Sequence, residues 1–163
     1  MEGLEAQDSL LVRKIEKGTV IDHIPAWKSD LVVKALRLDR LKQDGSDVSV
    51  AILQNVRSKR LGRKDVIKLD SWYVDENAAD ILCLILPTAT INYIRGWMAT
   101  KYTPKVPDNI EGKIKCPELL CISNGNREPV TTRFRTLKHE RMLQCHYCDT
   151  LIDFEKSPDY VRA

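Results

Sequence analysis

The sequence predicts an α+β chain in two unequal parts: an antiparallel sheet with helices on one face, then a small all-β domain. Three observations carry this reading. Strand-like and helix-like hydrophobic periods alternate along the N-terminal part. A stretch without apolar periodicity, Tyr102–Gly112, holds Pro104, Pro107 and the Asp108-Asn109 pair, which is linker chemistry. Four of the five cysteines lie beyond residue 115. The division is placed at 1–104 and 105–163, with the linker at about 102–112.

The elements follow in order. Leu10–Ile15 and Thr19–Ile24 read as strand, interrupted at Lys17-Gly18. Trp27–Leu38 follows Pro25 and sets Trp27, Leu31, Ala35 and Leu38 at helical spacing, an amphipathic helix. Gly45 ends the polar loop after it. Val48, Val50 and Ile52 alternate with Asp47, Ser49 and Ala51, the period of two that a strand imposes. Lys64–Leu69 reads as the next strand. Asp75 suits an N-cap and Glu76 the positive end of a helix, and Ala78–Leu86 gives a buried helix stopped by Pro87. Thr90–Arg95 and Trp97–Lys101 are strands separated by Gly96. Strand, helix, strand, strand, helix, strand is the split βαβ, or ferredoxin-like, plan. Trp27 and Trp97 are read as packing residues.

Beyond the linker lie short β-like pieces, Val130–Phe134, Arg141–Leu143 and Leu151–Phe154, with a turn signal at Asn124-Gly125. About sixty residues bury only about 60% of their unfolded surface and need a staple. The cysteines supply it: Cys116-Pro-Glu-Leu-Leu-Cys121, 23 residues, then Cys145-His-Tyr-Cys148. Two short-spaced pairs on two loops converge on one tetrahedral metal. Four thiolates leave no open position for a substrate water, so the site is structural, and soft sulfur favours Zn2+ with iron as the rival. The expected module is a small all-β zinc-binding (rubredoxin-like) domain holding one zinc per chain. His146 is read as an exposed loop residue, and Cys83 in the apolar helix as a small core hydrophobe.

Composition narrows the function classes. The chain has 163 residues, 26 Lys+Arg against 23 Asp+Glu and a net charge of +3, too balanced for a general polyanion binder. The longest apolar run, Ile81–Leu86, is far short of the roughly twenty residues of a membrane span. Met1–Ser9 has no secretory pattern, and five cysteines without one point to a reducing, cytoplasmic setting. P-loop, dinucleotide-fingerprint, nucleophile-elbow and H-E-x-x-H motifs are absent.

What remains is basic. Arg57, Lys59, Arg60, Arg63 and Lys64 place five positive charges in eight residues, either a solvated turn or an anion surface. Strand geometry puts Lys64, Val66 and Lys68 on one face and Asp65, Ile67 and Leu69 on the other. Two lysines around a valine suit a phosphate beside an apolar ring. Asp22 can accept from sugar hydroxyls, His23 can donate to an anion, and Asn92 can pair with a base edge.

Val12-Arg-Lys-Ile15, Gly18-Thr-Val-Ile-Asp-His-Ile-Pro25, Gly62-Arg-Lys-Asp-Val-Ile-Lys68, Pro87-Thr-Ala-Thr-Ile-Asn92, Cys116-Pro-x-x-x-Cys-Ile122 and Cys145-x-Tyr-Cys148 resemble the aspartate carbamoyltransferase regulatory chain in order and spacing. The resemblance covers roughly residues 10–154. It implies a non-catalytic subunit with a ferredoxin-like domain that forms a homodimer and binds CTP or ATP. It implies a zinc domain docked on the catalytic chain of pyrimidine biosynthesis, six chains of each kind in the assembly, and neither membrane nor nucleic acid as partner. Carried over by motif, the nucleotide site comprises Val12, Lys14, Ile15, Val20, Asp22, His23, Lys64, Lys68, Asn92, Ile94 and Lys101. Lys64 and Lys101 would meet the triphosphate and Asp22 the ribose. Ile15 and Ile94 would frame the base, with Lys68 near ribose and base. Glu118 stands where family members often carry asparagine, and Leu119, Leu120 and Ile122 on the first knuckle are read as docking residues, the alternative being that Leu119 and Leu120 cap the small β-domain. The alternative reading is a zinc-ribbon nucleic-acid-binding protein using Arg57–Lys64 and Arg133–Arg141.

Overall fold

The computed structural model describes residues 12–43, 45–127 and 129–162. Chain contacts divide it into two units. One joins the stretch ending at Ser29 with Ser46–Val74 and Thr88–Thr103; the other joins Asp30–Gly45, Asp75–Pro87 and the stretch from Pro104 on.

The first unit is a five-stranded antiparallel sheet of β1 (Lys17–Pro25), β2 (Ser49–Ser58), β3 (Gly62–Asp70), β4 (Thr90–Arg95) and β5 (Met98–Tyr102). The strand order is β2-β3-β1-β4-β5. This is the ferredoxin-like order with β5 added at one edge. Neighbouring rows decide the two faces. Ile52, Ile67, Ile21 and Ile91 lie directly opposite one another across four strands, and the inner three are fully buried. Each such side chain contributes about 1.5–3 kcal/mol. The next row, Ala51, Lys68, Val20, Asn92 and Lys101, points the other way and is at least partly open to solvent.

Two bulges shape this sheet. β1 shifts register between Ile21 and Ile24, where His23 takes φ 54°. β2 shifts between Leu53 and Val56, where Asn55 takes φ 56°. Such insertions bend a strand and re-aim its side chains. Gly18 is obligatory: a Cβ there would sit 2.0 Å from the Leu69 carbonyl oxygen.

The second unit carries α1 (Ser29–Ala35, its first residue apart), a 3-10 turn (Leu38–Lys42), α2 (Glu76–Ile85) and a smaller sheet. Asp75 caps α2 by accepting from the Ala78 amide at 2.9 Å. Ile81, Leu82, Cys83, Leu84 and Ile85 are all buried, as an apolar run bounded by Pro87 requires. The sheet orders β6 (Asn109–Glu111), β7 (Arg133–Leu137), β8 (Met142–Cys145) and β9 (Leu151–Asp153) sequentially and antiparallel. Its core is Ile110, Phe134, Leu143, Ile152 and Phe154.

Several element boundaries differ from the sequence reading. Leu10 and Leu11 lie outside the described residues, and Val12–Ile15 is not strand. Lys68 explains the latter, since its Nζ takes the carbonyls of Val12 and Arg13 at 3.2 and 3.1 Å. The first helix is shorter than Trp27–Leu38 because Trp27 has φ 66° and Arg37 φ 53°, left-handed residues that fix its ends. Trp97 is not strand: Gly96 and Trp97 both have positive φ between the paired Arg95 and Met98, a two-residue hairpin turn. Trp27 and Trp97 are each 63% exposed, so neither is a packing residue of this chain. Within the linker, Asn109–Glu111 is strand, with Ile110 opposite Phe134.

Candidate anion-binding face and metal centre

The open face of the large sheet is assembled by register. Lys68, Val20, Asn92 and Lys101 are successive cross-strand neighbours on β3, β1, β4 and β5. Ile94 stands two residues along β4, opposite Gly18, and is buried. Asp22 stands two residues beyond Val20. Its carboxylate meets Lys64 Nζ at 2.8 Å and accepts the His23 amide at 2.6 Å. The β1 bulge aims His23 Nδ1 at Thr90 Oγ1, 3.1 Å away. The backbone at Val12 and Arg13, just before Lys14 and Ile15, is held against the same face, because Lys68 Nζ donates to the carbonyls of Val12 and Arg13. Burial pushes the Lys68 amine down, Asp22 opposes this, and Lys14 adds to it, so all three charges share one field. Eight of the eleven residues named from the resemblance, Val20, Asp22, His23, Lys64, Lys68, Asn92, Ile94 and Lys101, thus lie along one face of the sheet, and the segment from Val12 is held against it through its backbone.

Sequence reasoning missed two contributors here. Thr88 and Thr90 bracket His23, the former donating to the His23 carbonyl at 3.0 Å. The signal was Thr88-x-Thr90 within an otherwise apolar strand entry. Asp65 is the other. It is fully buried on the opposite face and accepts the amides of Trp27, Ser29 and Asn55 at 3.0, 3.0 and 2.8 Å. Burial alone would raise its carboxyl, but the Asn55, Trp27 and Ser29 amides and the Ser29 hydroxyl outweigh it and hold the pKa below its ordinary value.

The metal centre lies in the second unit. The sulfurs of Cys116, Cys121, Cys145 and Cys148 all fall within 4.8 Å of one another. Cys116–Cys148 and Cys121–Cys145 are 3.6 and 3.8 Å apart. A tetrahedral ion with metal–sulfur bonds of about 2.3 Å separates its sulfurs by about 3.8 Å, so the set fits. The first loop is braced by Asn124, whose Nδ2 donates to the carbonyls of Cys116 and Glu118. The second is braced by the Asp149 amide on the Cys145 carbonyl. Ser123 and Thr150 hydroxyls lie 3.1 Å from the sulfurs of Cys121 and Cys148. Burial and neighbouring thiols push Cys116 and Cys145 up. At Cys148 burial is outweighed by the Thr150 hydroxyl and amide and by the Cys116 and Cys121 thiols, which bring it down to about 7. His146 is exposed, as expected of a loop residue. Cys83 is buried in α2 and pushed up to about 11 by burial and by Asp80, an inert thiol outside the cluster. Leu119, Leu120 and Ile122 are 81%, 93% and 51% exposed, so they do not cap the small sheet.

A four-thiolate centre leaves no open position for a substrate water, and the large sheet carries a cationic face; both are binding features. Comparison with known proteins gives the class. Residues 10–104 match the model of the aspartate carbamoyltransferase regulatory chain, allosteric domain, and residues 108–157 match its metal binding domain. Proteins named aspartate carbamoyltransferase regulatory chain are similar over most of their length. The one from Archaeoglobus fulgidus is 40% identical across 88% of this chain and 94% of its own. That from Hyperthermus butylicus is 40% identical across 93% and 94%, and one from Saccharolobus islandicus is 42% identical across 91% and 92%. The chain belongs to the aspartate carbamoyltransferase regulatory chain family. It is a regulatory, non-catalytic subunit with an allosteric and a metal-binding domain. Among the described residues, no helix is long and apolar enough to cross a membrane.

Proposed function

We propose that this chain binds nucleoside triphosphate effectors, CTP or ATP, on the open face of its large sheet and regulates the catalytic chain of aspartate carbamoyltransferase in pyrimidine biosynthesis. The observation that carries the reading is the cross-strand row Lys68, Val20, Asn92, Lys101, with the Asp22–Lys64 pair beside it. Lys64 and Lys101 take the phosphates, Asp22 the ribose, and Ile15 and Ile94 the base, with Lys68 near ribose and base. The functional division follows the family models, an effector domain up to about residue 104 and a metal domain after it. The metal is one structural zinc per chain, held by Cys116, Cys121, Cys145 and Cys148, and it supplies folding free energy rather than chemistry. The exposed Leu119, Leu120 and Ile122 support docking of this domain on the catalytic chain. Val50 and Ile52, 40% and 44% exposed on the edge strand β2, are compatible with self-association of the effector domain, in an assembly of six chains of each kind.

Calorimetry of the assembled complex tests the effector site. CTP or ATP binds, and Lys64→Ala and Lys101→Ala each lower affinity roughly ten- to a hundredfold, the worth of a charge-assisted phosphate contact. No heat at millimolar nucleotide would end the effector reading. Full affinity in Lys64→Ala would relocate the site.

A further inference from the structure

The Arg57–Lys64 run is used by the proposed function only at Lys64. In the fold Arg57 and Arg63 lie on the opposite face of the β2–β3 hairpin, and Lys59 and Arg60 are at its turn. Arg57 and Arg63 are direct cross-strand neighbours. Like charges placed directly opposite destabilise a strand pair. Here that cost is not offset within the chain. The Arg63 side chain donates to the Asn55 carbonyl, and among the described residues the side chains of Arg57 and Arg60 make neither an ion pair nor a hydrogen bond.

A second, independent feature stands beside them. Asp65 Oδ1 receives the amides of both Asn55 and Trp27. The residue whose carbonyl holds Arg63 and the residue carrying an exposed indole are thus tied to one buried oxygen. Trp27 is 63% exposed and kept in left-handed backbone, and the exposed Lys28 follows it. A large exposed aromatic and a pair of opposed guanidiniums, tied to one buried carboxylate through the Trp27 and Asn55 amides and the Asn55 carbonyl, offer a stacking surface and a phosphate clamp at the same end of the sheet.

We infer that this end of the sheet binds single-stranded nucleic acid, with a base stacked on Trp27 and backbone phosphates on Arg57, Arg60 and Arg63. The chain-wide balance of +3 argued against such a partner, but it averages over a locally segregated patch. An acidic protein segment would match the arginines and leave the indole in water; a strand that alternates phosphate with flat base matches both. The inference stands apart from the effector reading, because Arg57 and Arg63 share a face with Asp65 while Lys64 and Lys68 point the other way.

The test is anisotropy of a labelled oligouridine of roughly 20 nucleotides, longer than one site, titrated with the full metal-loaded chain across salt concentrations. Binding weakens with salt. Arg57→Ala with Arg63→Ala reduces the log–log salt slope by about 1.4, at about 0.7 per lost phosphate contact. Trp27→Ala weakens binding roughly ten- to a hundredfold at unchanged slope, and Trp27→Phe restores most of it. Melting of each variant verifies that these exposed substitutions leave the fold intact. No binding at low salt overturns the inference. So does full affinity in Trp27→Ala, or equal competition by polyglutamate, which would mark an acidic-protein surface. Loss of RNA binding on saturation with CTP, or in Lys68→Ala, would place the RNA on the effector face and overturn it too.

Discussion

Replacing Asp65 by asparagine tests the clamp that holds the β1–α1 turn against β2. The carboxylate has no exposed surface and three amide partners, two on Oδ1 and one on Oδ2. An asparagine that keeps its oxygen at Oδ1 turns its amino group toward the Ser29 amide, donor against donor. An orphaned buried donor costs about 1–3 kcal/mol, and the two surviving bonds each lose the strength of a charged acceptor. The sum is about 3–4 kcal/mol for Asp65→Asn at pH 7. Denaturant unfolding of the metal-loaded chain reads it. The pH dependence carries a sign. The folded carboxyl lies below its ordinary 3.8, so its stabilisation is present above about pH 4 and is lost as pH falls through the folded value. An NMR titration of the Asp65 carboxyl carbon should therefore have its midpoint below the ordinary 3.8. A change under about 1 kcal/mol in Asp65→Asn, or a carboxyl titrating above 4, would refute the clamp.

Two further outcomes are expected. Changing Cys116 or Cys148 to serine should abolish stoichiometric zinc and loosen the small sheet, while Cys83→Ser leaves the metal content unchanged; metal analysis of the purified variants decides. Leu120→Asp should weaken association with the catalytic chain in sedimentation while retaining zinc, because its side chain is 93% exposed and contributes little to the fold that holds the metal.

Much of the fold was legible because its elements carry strong local signals. Asp75 before an apolar run and Pro87 after it bracketed α2 to within two residues. The period of two in β3 assigned Lys64 and Lys68 to one face and Ile67 and Leu69 to the other. The paired cysteine spacings named a metal set whose sulfurs do converge. What was not legible depended on long-range partners. The carbonyls of Val12 and Arg13 go to a lysine more than fifty residues away, so a segment with strand-like composition forms no strand. Trp27 reads as the first residue of an amphipathic helix until Asp65 takes its amide and fixes a left-handed turn. Strand β6 hides in linker composition because its partner, Phe134, lies beyond the first metal loop. The open face itself could not be composed from one strand. Val20, Asn92 and Lys101 come together only through pairings of β1, β4 and β5.

The charges of that open face explain how it holds polar groups at small cost and how, in the proposed function, it would accept an anion. Asp22 and Lys64 pair at 2.8 Å, with side chains 25% and 19% exposed. Lys68, on the same face, is satisfied by two backbone carbonyls instead of a carboxylate. Each group is thus neutralised or solvated locally, which keeps the cost of half-burying three charges small. In the proposed function, an arriving phosphate replaces Asp22 as the partner of Lys64, and a ribose hydroxyl replaces Lys64 as a partner of Asp22. The exchange creates no new unpaired charge on either side. It does give the anion a net cationic field, since Lys14, Lys64, Lys68 and Lys101 outnumber the one carboxylate among the site residues. Strand pairing sets Val20, Lys68, Asn92 and Lys101 side by side, and the Lys68 side chain ties the Val12 segment to them, so the proposed face is organised without a ligand.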